Sequence, residues 1–520
     1  MNQSPPSPEA AARSQRILWV VLGVLIVLPL CAIVGTSFYQ SYADGQNARV
    51  AEAEANQDLS EAIAETERSD PRWRLEEVEA GRAVIPAERN SGEVAMAATK
   101  LMPKRWPAWD WPPEMEPPEA ALGREALRVS FADLEPQRQL SQKQITELRA
   151  EMKRAVQARD QARKLADLTE GRYPITYSDD WIGTLLPHLQ DVRQIGNLLA
   201  WDVMLRAQNG DADGALASCR AIVNTGRSIG DEPFLISELV RIAVRAIAVG
   251  KIERALAQGQ PSNAALAALQ QLLEKEEAEQ LTLNALRGER AGFDHLLEAF
   301  QTGKKALTDR DLKGLSGLNR SSGEDREQLD AMDLRAPGLI PSQRAAMLRY
   351  MNRGVAIAKL PQEQQQKQFE LWEATAKDQP SLVRLFAPAV NKTFAAEQRT
   401  RAQLRCAAAA LAAERYRLKH KEWPKNWDAV IAAGYLRETP IDLYDGKPLR
   451  LVKLLTAPDI LVISSVGPDG EDNGGKLDRK NPPAKGTDLG FLLWAPPLRR
   501  QPPAPAKPPV EAEIGRLRGL

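Results

Sequence analysis

From Ile17 to Gly35 the chain reads "ILWVVLGVLIVLPLCAIVG", nineteen positions without a charge. As a helix such a run reaches about 28 Å, enough to cross the hydrocarbon core of a bilayer. Pro29 is tolerable in a helix surrounded by lipid. The apolar run is longer than the core of a cleaved signal peptide, and no small-x-small cleavage site follows it. The pattern therefore predicts an uncleaved transmembrane helix over 17–37. Arg13 and Arg16 stand before it, while Asp44, Glu52 and Glu54 follow it. Positive charge before the span places residues 1–16 in the cytoplasm and the bulk of the chain outside.

Beyond the anchor the spacing turns helical. Residues 48–68 are rich in Ala, Glu, Asn and Gln with little apolar content, which predicts an exposed stalk or neck over 38–101. "MPKRWPAWDWPPEMEPPE", Met102 to Glu119, interrupts the pattern with prolines that remove backbone donors and tryptophans that need an apolar surface. It reads either as a ligand groove or as a linker over 102–118 strapped across the helices, and the linker is preferred. Helical patterning fills 119–396. "ITELRAEMKRAVQARDQARKLADL", Ile145 to Leu168, offers long helix-forming stretches and no breaker. In "LLAWDVMLRAQNGDADGALASCRAIVNTGRSI", Leu198 to Ile229, Asn209-Gly210-Asp211 predicts a turn between two helices, with Gly210 as left-handed cap and an aspartate opening the second helix. Ala207, Gly210, Ala215 and Leu216 have the small-residue spacing of a tetratricopeptide-type hairpin, with a looser echo at Ala246–Gly259.

Composition narrows the function. Sixty-nine basic residues balance sixty-nine acidic ones without a basic block, so nucleic acid is a poor partner. His188, His295 and His420 lie far apart, as do Cys31, Cys219 and Cys406, and neither set has metal-ligand spacing. Each cysteine reads as a small buried apolar residue, and Cys219 and Cys406 could pair only outside the cytoplasm. "LRGERAGFDHLLEAF", Leu286 to Phe300, gathers Glu289, Arg290, Asp294 and His295. Arg290 and Asp294, four residues apart, predict a solvated ion pair. A helical hydrolase built from Asp202, Glu289, Asp294 and His295 is the alternative, and it requires those side chains to share a deep pocket.

After Glu397 the pattern changes in an ordered way. "RAQLRCAAAALAAERYRLKH", Arg401 to His420, predicts a helix with Leu404, Ala408, Leu411 and Leu418 along one side. A short helix around Val430 and Ile431 ends at Gly434, and Asp445-Gly446 marks a two-residue hairpin turn before a strand-like "KPLRLVKLL". "DILVISSVG", Asp459 to Gly467, is a second strand that runs into "SSVGPDGEDNGGKLD", Ser464 to Asp478. That loop crowds carboxylates that repel by roughly 1 kcal/mol per pair at 4 Å in water, a repulsion a divalent cation would reverse. An EF-hand fits poorly: Asp469, Glu471, Asn473 and Gly474 mimic its first half, but Lys480 stands where the bidentate acid belongs.

The order "LAAERYRLKH", "WP", "GYL", "P-x-D-x-x-D-G-K-P-L" and "SSVGPDG" resembles the globular part of the major pseudopilin of bacterial type II secretion systems, over roughly a fifth of the chain. The resemblance implies a helix packed on a small antiparallel sheet and a calcium-binding loop. Its ligands would be Ser465, Asp469, Asp472, Asn473 and Asp488. The whole chain resembles uncharacterised bacterial membrane-anchored helical proteins carrying that module, which supplies architecture but no activity. The anchor lies far upstream of the module and contains no acid, so fibre assembly is not part of the reading.

The expected fold is therefore mainly α: a transmembrane helix, a large helical-hairpin domain over 119–396 and a small α+β module over 397–497. The proline-rich tail, 498–520, is expected to be disordered. The expected function is non-enzymatic: a single-pass, extracytoplasmic structural or interaction protein, an accessory of a secretion or pilus-like envelope system, with other envelope proteins as partners and calcium as its ion.

Overall fold

The computed structural model describes residues 45–104, 134–178, 181–306, 336–454, 457–479 and 484–504, together with positions 106, 131, 308 and 481. The apolar run at 17–37, Cys31, Trp109 and Trp111 lie outside the described residues. No helix among the described residues is long and apolar enough to cross a membrane.

The chain is mainly helical. Helix α1 occupies 45–69, and α2 (Leu75–Ala80), α3 (Ser91–Lys100), α4 (Gln142–Arg154) and α5 (Val156–Arg163) follow. The body continues with α6 (His188–Gln208), α7 (Ala212–Arg227), α8 (Leu235–Gln258), α9 (Asn263–Glu277) and α10 (Leu281–Gln301). Then come α11 (Leu339–Ala358), α12 (Gln362–Ala374), α13 (Ser381–His420) and α14 (Trp427–Ala432). Strands β1 (Arg450–Leu454), β2 (Ala457–Ser465) and β3 (Leu489–Trp494) form an antiparallel sheet in that order.

Local chemistry accounts for several boundaries. Gly210 adopts φ +82° after α6, and Asp211 caps α7 by accepting from the Gly214 amide at 2.9 Å. Ser262 caps α9 through the Ala265 amide, and Ser141 with Gln144 forms a reciprocal capping box on α4. The stretch from Ile145 to Leu168 is not continuous: the chain leaves helical geometry at Ala155, φ −101° and ψ 19°. Leu148 and Met152 before the break and Ala158, Ala162 and Leu165 after it are all buried in one core, so both pieces keep an apolar face inward.

Two large apolar clusters organise the molecule, and they do not follow the boundaries expected from sequence. The first runs through α3–α9, the C-terminal half of α13, α14 and the sheet. The second joins α10, α11, α12 and the N-terminal half of α13. Helix α13, 40 residues and about 60 Å long, therefore serves both. The expected junction at 396/397 falls inside it, where buried Thr393, Glu397, Gln398, Thr400 and Arg401 separate the clusters.

The sheet lies on this helix. Leu461, Ile463, Phe491 and Leu493 point into the first cluster, whereas Val452 and Val462 face the other way. There Gly475, at φ +78°, brings the returning loop so close that an added Cβ would meet both valines within 3.4 Å. Side chains beyond the expected module boundary are also docked. Arg499 is buried against Glu414, and the Gln501 amide donates to the Gln137 carbonyl. The proline-rich tail thus begins later than 498, and residues past 504 lie outside the described set.

The neck is not free either. Leu59 and Ala62 of α1 pack with Trp73, Ala345 and Leu348, and Arg349 reaches Asp58 at 2.7 Å. Trp106, from the proline-rich linker, is buried against Trp201 with ring centroids 5.3 Å apart, which suits a strap across the helices.

Candidate functional site

The acidic loop connects β2 to β3, and its side chains tie it shut. Asp488, directly before β3, accepts from the amides of Asn473 at 2.9 Å and Gly475 at 2.7 Å. Asp469 accepts from the amides of Glu471 at 3.1 Å and Gly486 at 2.9 Å, joining the two limbs. Asp472 accepts from the Gly474 amide and meets Arg450 at 3.3 Å. Asn473 donates to the Glu471 carbonyl. Four of the five ligands expected from sequence therefore share the loop.

Ser465 belongs to a different cluster. Its hydroxyl donates to Asp442 at 2.7 Å. Asp442 is fully buried and also accepts from the Val466 amide, the Tyr444 amide and Arg450. Arg450 bonds Asp445 as well, so one guanidinium links the hairpin turn to the loop. Asp442 was visible only as a letter in the "P-x-D-x-x-D-G-K-P-L" run; nothing local marked it as the buried hub.

The electrostatics fit a hard cation in part. Burial, together with the Asp472 charge, pushes the Asp488 carboxyl up against the pull of its two amides. For Asp469 the Gly486 amide, then the Glu471 amide, holds the carboxyl below its usual range. All donors are oxygens of the kind calcium takes, and a divalent charge would relieve the Asp472–Asp488 repulsion. Among the described residues, however, no three His, Cys, Asp or Glu side chains converge as a ready metal group. Calcium would have to draw Asp469 and Asp472 partly from their amides.

The four residues of the hydrolase alternative do not share a pocket. Asp202 is buried between Arg163 at 2.6 Å, Arg206 at 3.2 Å and the Ser218 hydroxyl at 2.6 Å. Glu289 accepts from Trp181 Nε1 at 3.0 Å and the Leu235 amide at 2.8 Å. Asp294 is held by both forks of Arg344, at 2.6 and 2.9 Å. His295 is partly exposed, 3.6 Å from Glu76. The expected Arg290–Asp294 pair is also corrected: Arg290 turns to Asp70 at 2.6 Å and Asn352 at 2.9 Å. Both side chains are buried, and a fixed partner from another element holds each more firmly than a solvated neighbour on the same helix.

Sequence reasoning missed a buried ionic layer where α8, α9, α10 and α13 meet. Glu276 takes Arg241 and Arg245 at 2.6–2.9 Å and Arg227 at 2.6 Å. Burial alone would raise its carboxyl, but the three guanidinium groups hold it far below the usual range. Glu238, in the same layer, is buried with neither oxygen bonded among the described residues, and burial pushes its carboxyl well above the usual range. Glu232 stands 2.7 Å from His188, which opens α6 stacked on Tyr173. Glu397 receives Arg401 at 2.6 Å and also the Thr282 hydroxyl. Apart from the i,i+4 pair Glu397–Arg401, these partners lie tens of residues apart, where no spacing rule links them. Cys219 and Cys406 are buried free thiols.

Compared with family models, curated proteins and solved structures, the chain matches none.

Proposed function

We propose that this chain is a membrane-anchored, extracytoplasmic structural and interaction protein that presents a pseudopilin-like module on a rigid helical body, as an accessory of a type II secretion or pilus-like envelope system. The observation that carries the reading is the arrangement of the last hundred or so residues. The C-terminal half of α13 backs the three antiparallel strands, and the acidic loop returns between β2 and β3. A helix laid on a small antiparallel sheet supports the reading, because the motif order implies that pairing. The module also shares its core with α8 and α9, so it is held in one orientation relative to the body. Calcium belongs to the proposal as the ion that would stabilise the closed loop.

Because the module shares its core with the body, the test uses the full chain. Tagged protein is cross-linked in bacterial inner membranes, and the captured proteins are identified. Recovery of type II secretion components, reduced by Asp442→Ala, supports the accessory role; their absence sinks it. The calcium clause is tested by thermal unfolding of the detergent-purified chain in calcium and in chelator. Saturation at about 100 times the dissociation constant adds roughly 2.7 kcal/mol. An unfolding curve indifferent to the ion removes calcium from the proposal.

A further inference from the structure

Helix α13 is not alone in touching both apolar cores. Helix α8 opens with Leu235 in the second core and continues with Val240 and Val244 in the first. On α13 the change comes between Phe394, in the second core, and Leu404, in the first. Each helix carries a buried carboxyl at its change-over, Glu238 on α8 and Glu397 on α13. The two lie near enough for the Glu397 charge to act on Glu238. Their bonding differs. Glu397 receives Arg401 at 2.6 Å and the Thr282 amide at 3.2 Å. Glu238 is only 1% exposed, and neither of its oxygens has a partner among the described residues.

An ionised Glu238 finds no answer in this seam. Arg241 and Arg245, about one and two turns further along α8, give their bonds to Glu276 of α9 and to the Gly230 and Glu276 carbonyls. Arg245 Nη1 has no partner among the described residues, yet it does not bond Glu238. The remaining cations are engaged as well. His188 of α6 faces Glu232, Arg227 of α7 holds Glu276 and Glu279 of α9, and Arg401 of α13 holds Glu397. From α10, Glu289 reaches the Leu235 amide and adds another acid. Burial pushes the Glu238 carboxyl well above its usual range, and the Glu397 and Glu232 charges add to this against the attraction of Arg241 and Arg245. The closed seam therefore holds a proton that an exposed glutamate has already lost.

We propose that Glu238 is a proton-operated latch on the seam between the two apolar cores. With the proton in place the side chain is neutral, and the first turns of α8 stay closed on the middle of α13. Opening the seam lets water reach the carboxyl, which then releases its proton to solvent. Each unit of pH above the ordinary glutamate value therefore favours the open form about tenfold, until the folded-state value is reached. Acid closes the seam, and rising pH loosens the α10–α12 core from the part that carries the sheet module. The inference is independent of the secretion reading and survives its failure.

The test is hydrogen–deuterium exchange of the full chain in detergent, read peptide by peptide at pH 5 and pH 7. Wild type is compared with Glu238→Gln, which keeps the shape of the neutral acid and cannot ionise. Groups that titrate alike in both proteins cancel in the ratio of their exchange rates. For residues 235–241 and 394–404 the ratio of wild-type to variant rate should rise about a hundredfold from pH 5 to pH 7. For residues 219–223, deep in the first core, it should stay flat. A seam ratio that does not change with pH overturns the proposal. So does an equal rise in 219–223, because the proton then governs unfolding of the whole chain rather than the seam. Should Glu238→Gln fail to fold, Glu238→Met takes its place in the same comparison.

Discussion

Asp469 in the acidic loop and Glu289 in the helical body receive the same kind of help. Each accepts two neutral N–H donors, one per carboxylate oxygen. Their acidities nonetheless move in opposite directions. The two amides hold Asp469 below its usual range, whereas burial pushes Glu289 up to about 7 despite its donors. Water makes the difference. On the loop, solvent still stabilises the charge, and the amides add to it. Beside Trp181 and Phe234, solvent is gone, and two neutral donors do not replace it. Only where guanidinium groups arrive, as at Glu276, does a buried carboxylate of this body become strongly acidic. Loop carboxylates hold backbone, and body carboxylates hold helices together.

The comparison predicts its own largest effect at Glu276. Glu276→Gln leaves Arg241 and Arg245 buried without a counter-charge, which should cost about 3–5 kcal/mol in urea unfolding. A loss under 1 kcal/mol would mean that the ionic layer does not hold the helices.

Glu289 gives the next effect, and its sign is set by the raised folded-state value. The native state keeps this proton up to about pH 7, while the unfolded chain releases it near 4.5. The contribution is therefore full below about pH 4.5 and is lost as pH rises to about 7. A shift of that size corresponds to about 3 kcal/mol. Glu289→Gln should consequently gain on wild type by up to that amount between pH 5 and 8, measured as the difference between two urea curves at each pH. Parallel profiles would show that Glu289 is already ionised at pH 5.

In the loop the effects shrink. Asp488→Ala strands the amides of Asn473 and Gly475 and should cost about 1–3 kcal/mol. Faster proteolysis between Gly467 and Gly486 would be its local signature. Asp472→Ala removes a half-exposed partner of Arg450, which keeps Asp442 and Asp445. It should change stability by less than about 0.5 kcal/mol. An Asp472 effect as large as that of Asp488 would erase the distinction between anchoring and decorating carboxylates.

Features decided within a few residues were legible before the fold was known. The Gly210 turn and Asp211 cap stand where the sequence places them, and Gly434 takes φ +77° just past α14. Asp445 and Gly446 do lie in a turn, but its closing bridge joins Ile441 to Pro448, a longer loop than the expected two-residue hairpin; both expected strands form. Asp469, Asp472 and Asn473 stay together because they are close in sequence, whereas Asp488 reaches Asn473 across 15 residues. Features requiring remote partners were not legible. Arg290 and Asp294 look like a pair because helical spacing puts them side by side. Asp70, 220 residues from Arg290, and Arg344 take them instead. Ser465 reads as a loop ligand, but the buried Asp442 claims it.

The division has one physical origin. Turn geometry, capping and alternation depend on backbone sterics and on donors within about four residues, so the sequence by itself determined the helices, the turns and the sheet module's order. Burial depends on which surfaces meet. Only the tertiary structure decided that α13 would serve two cores, that the neck would lie against α11, and that Glu276 and Glu289 would face such different surroundings. A carboxylate's chemistry follows from whether water or a guanidinium reaches it, and that is settled only when the helices pack.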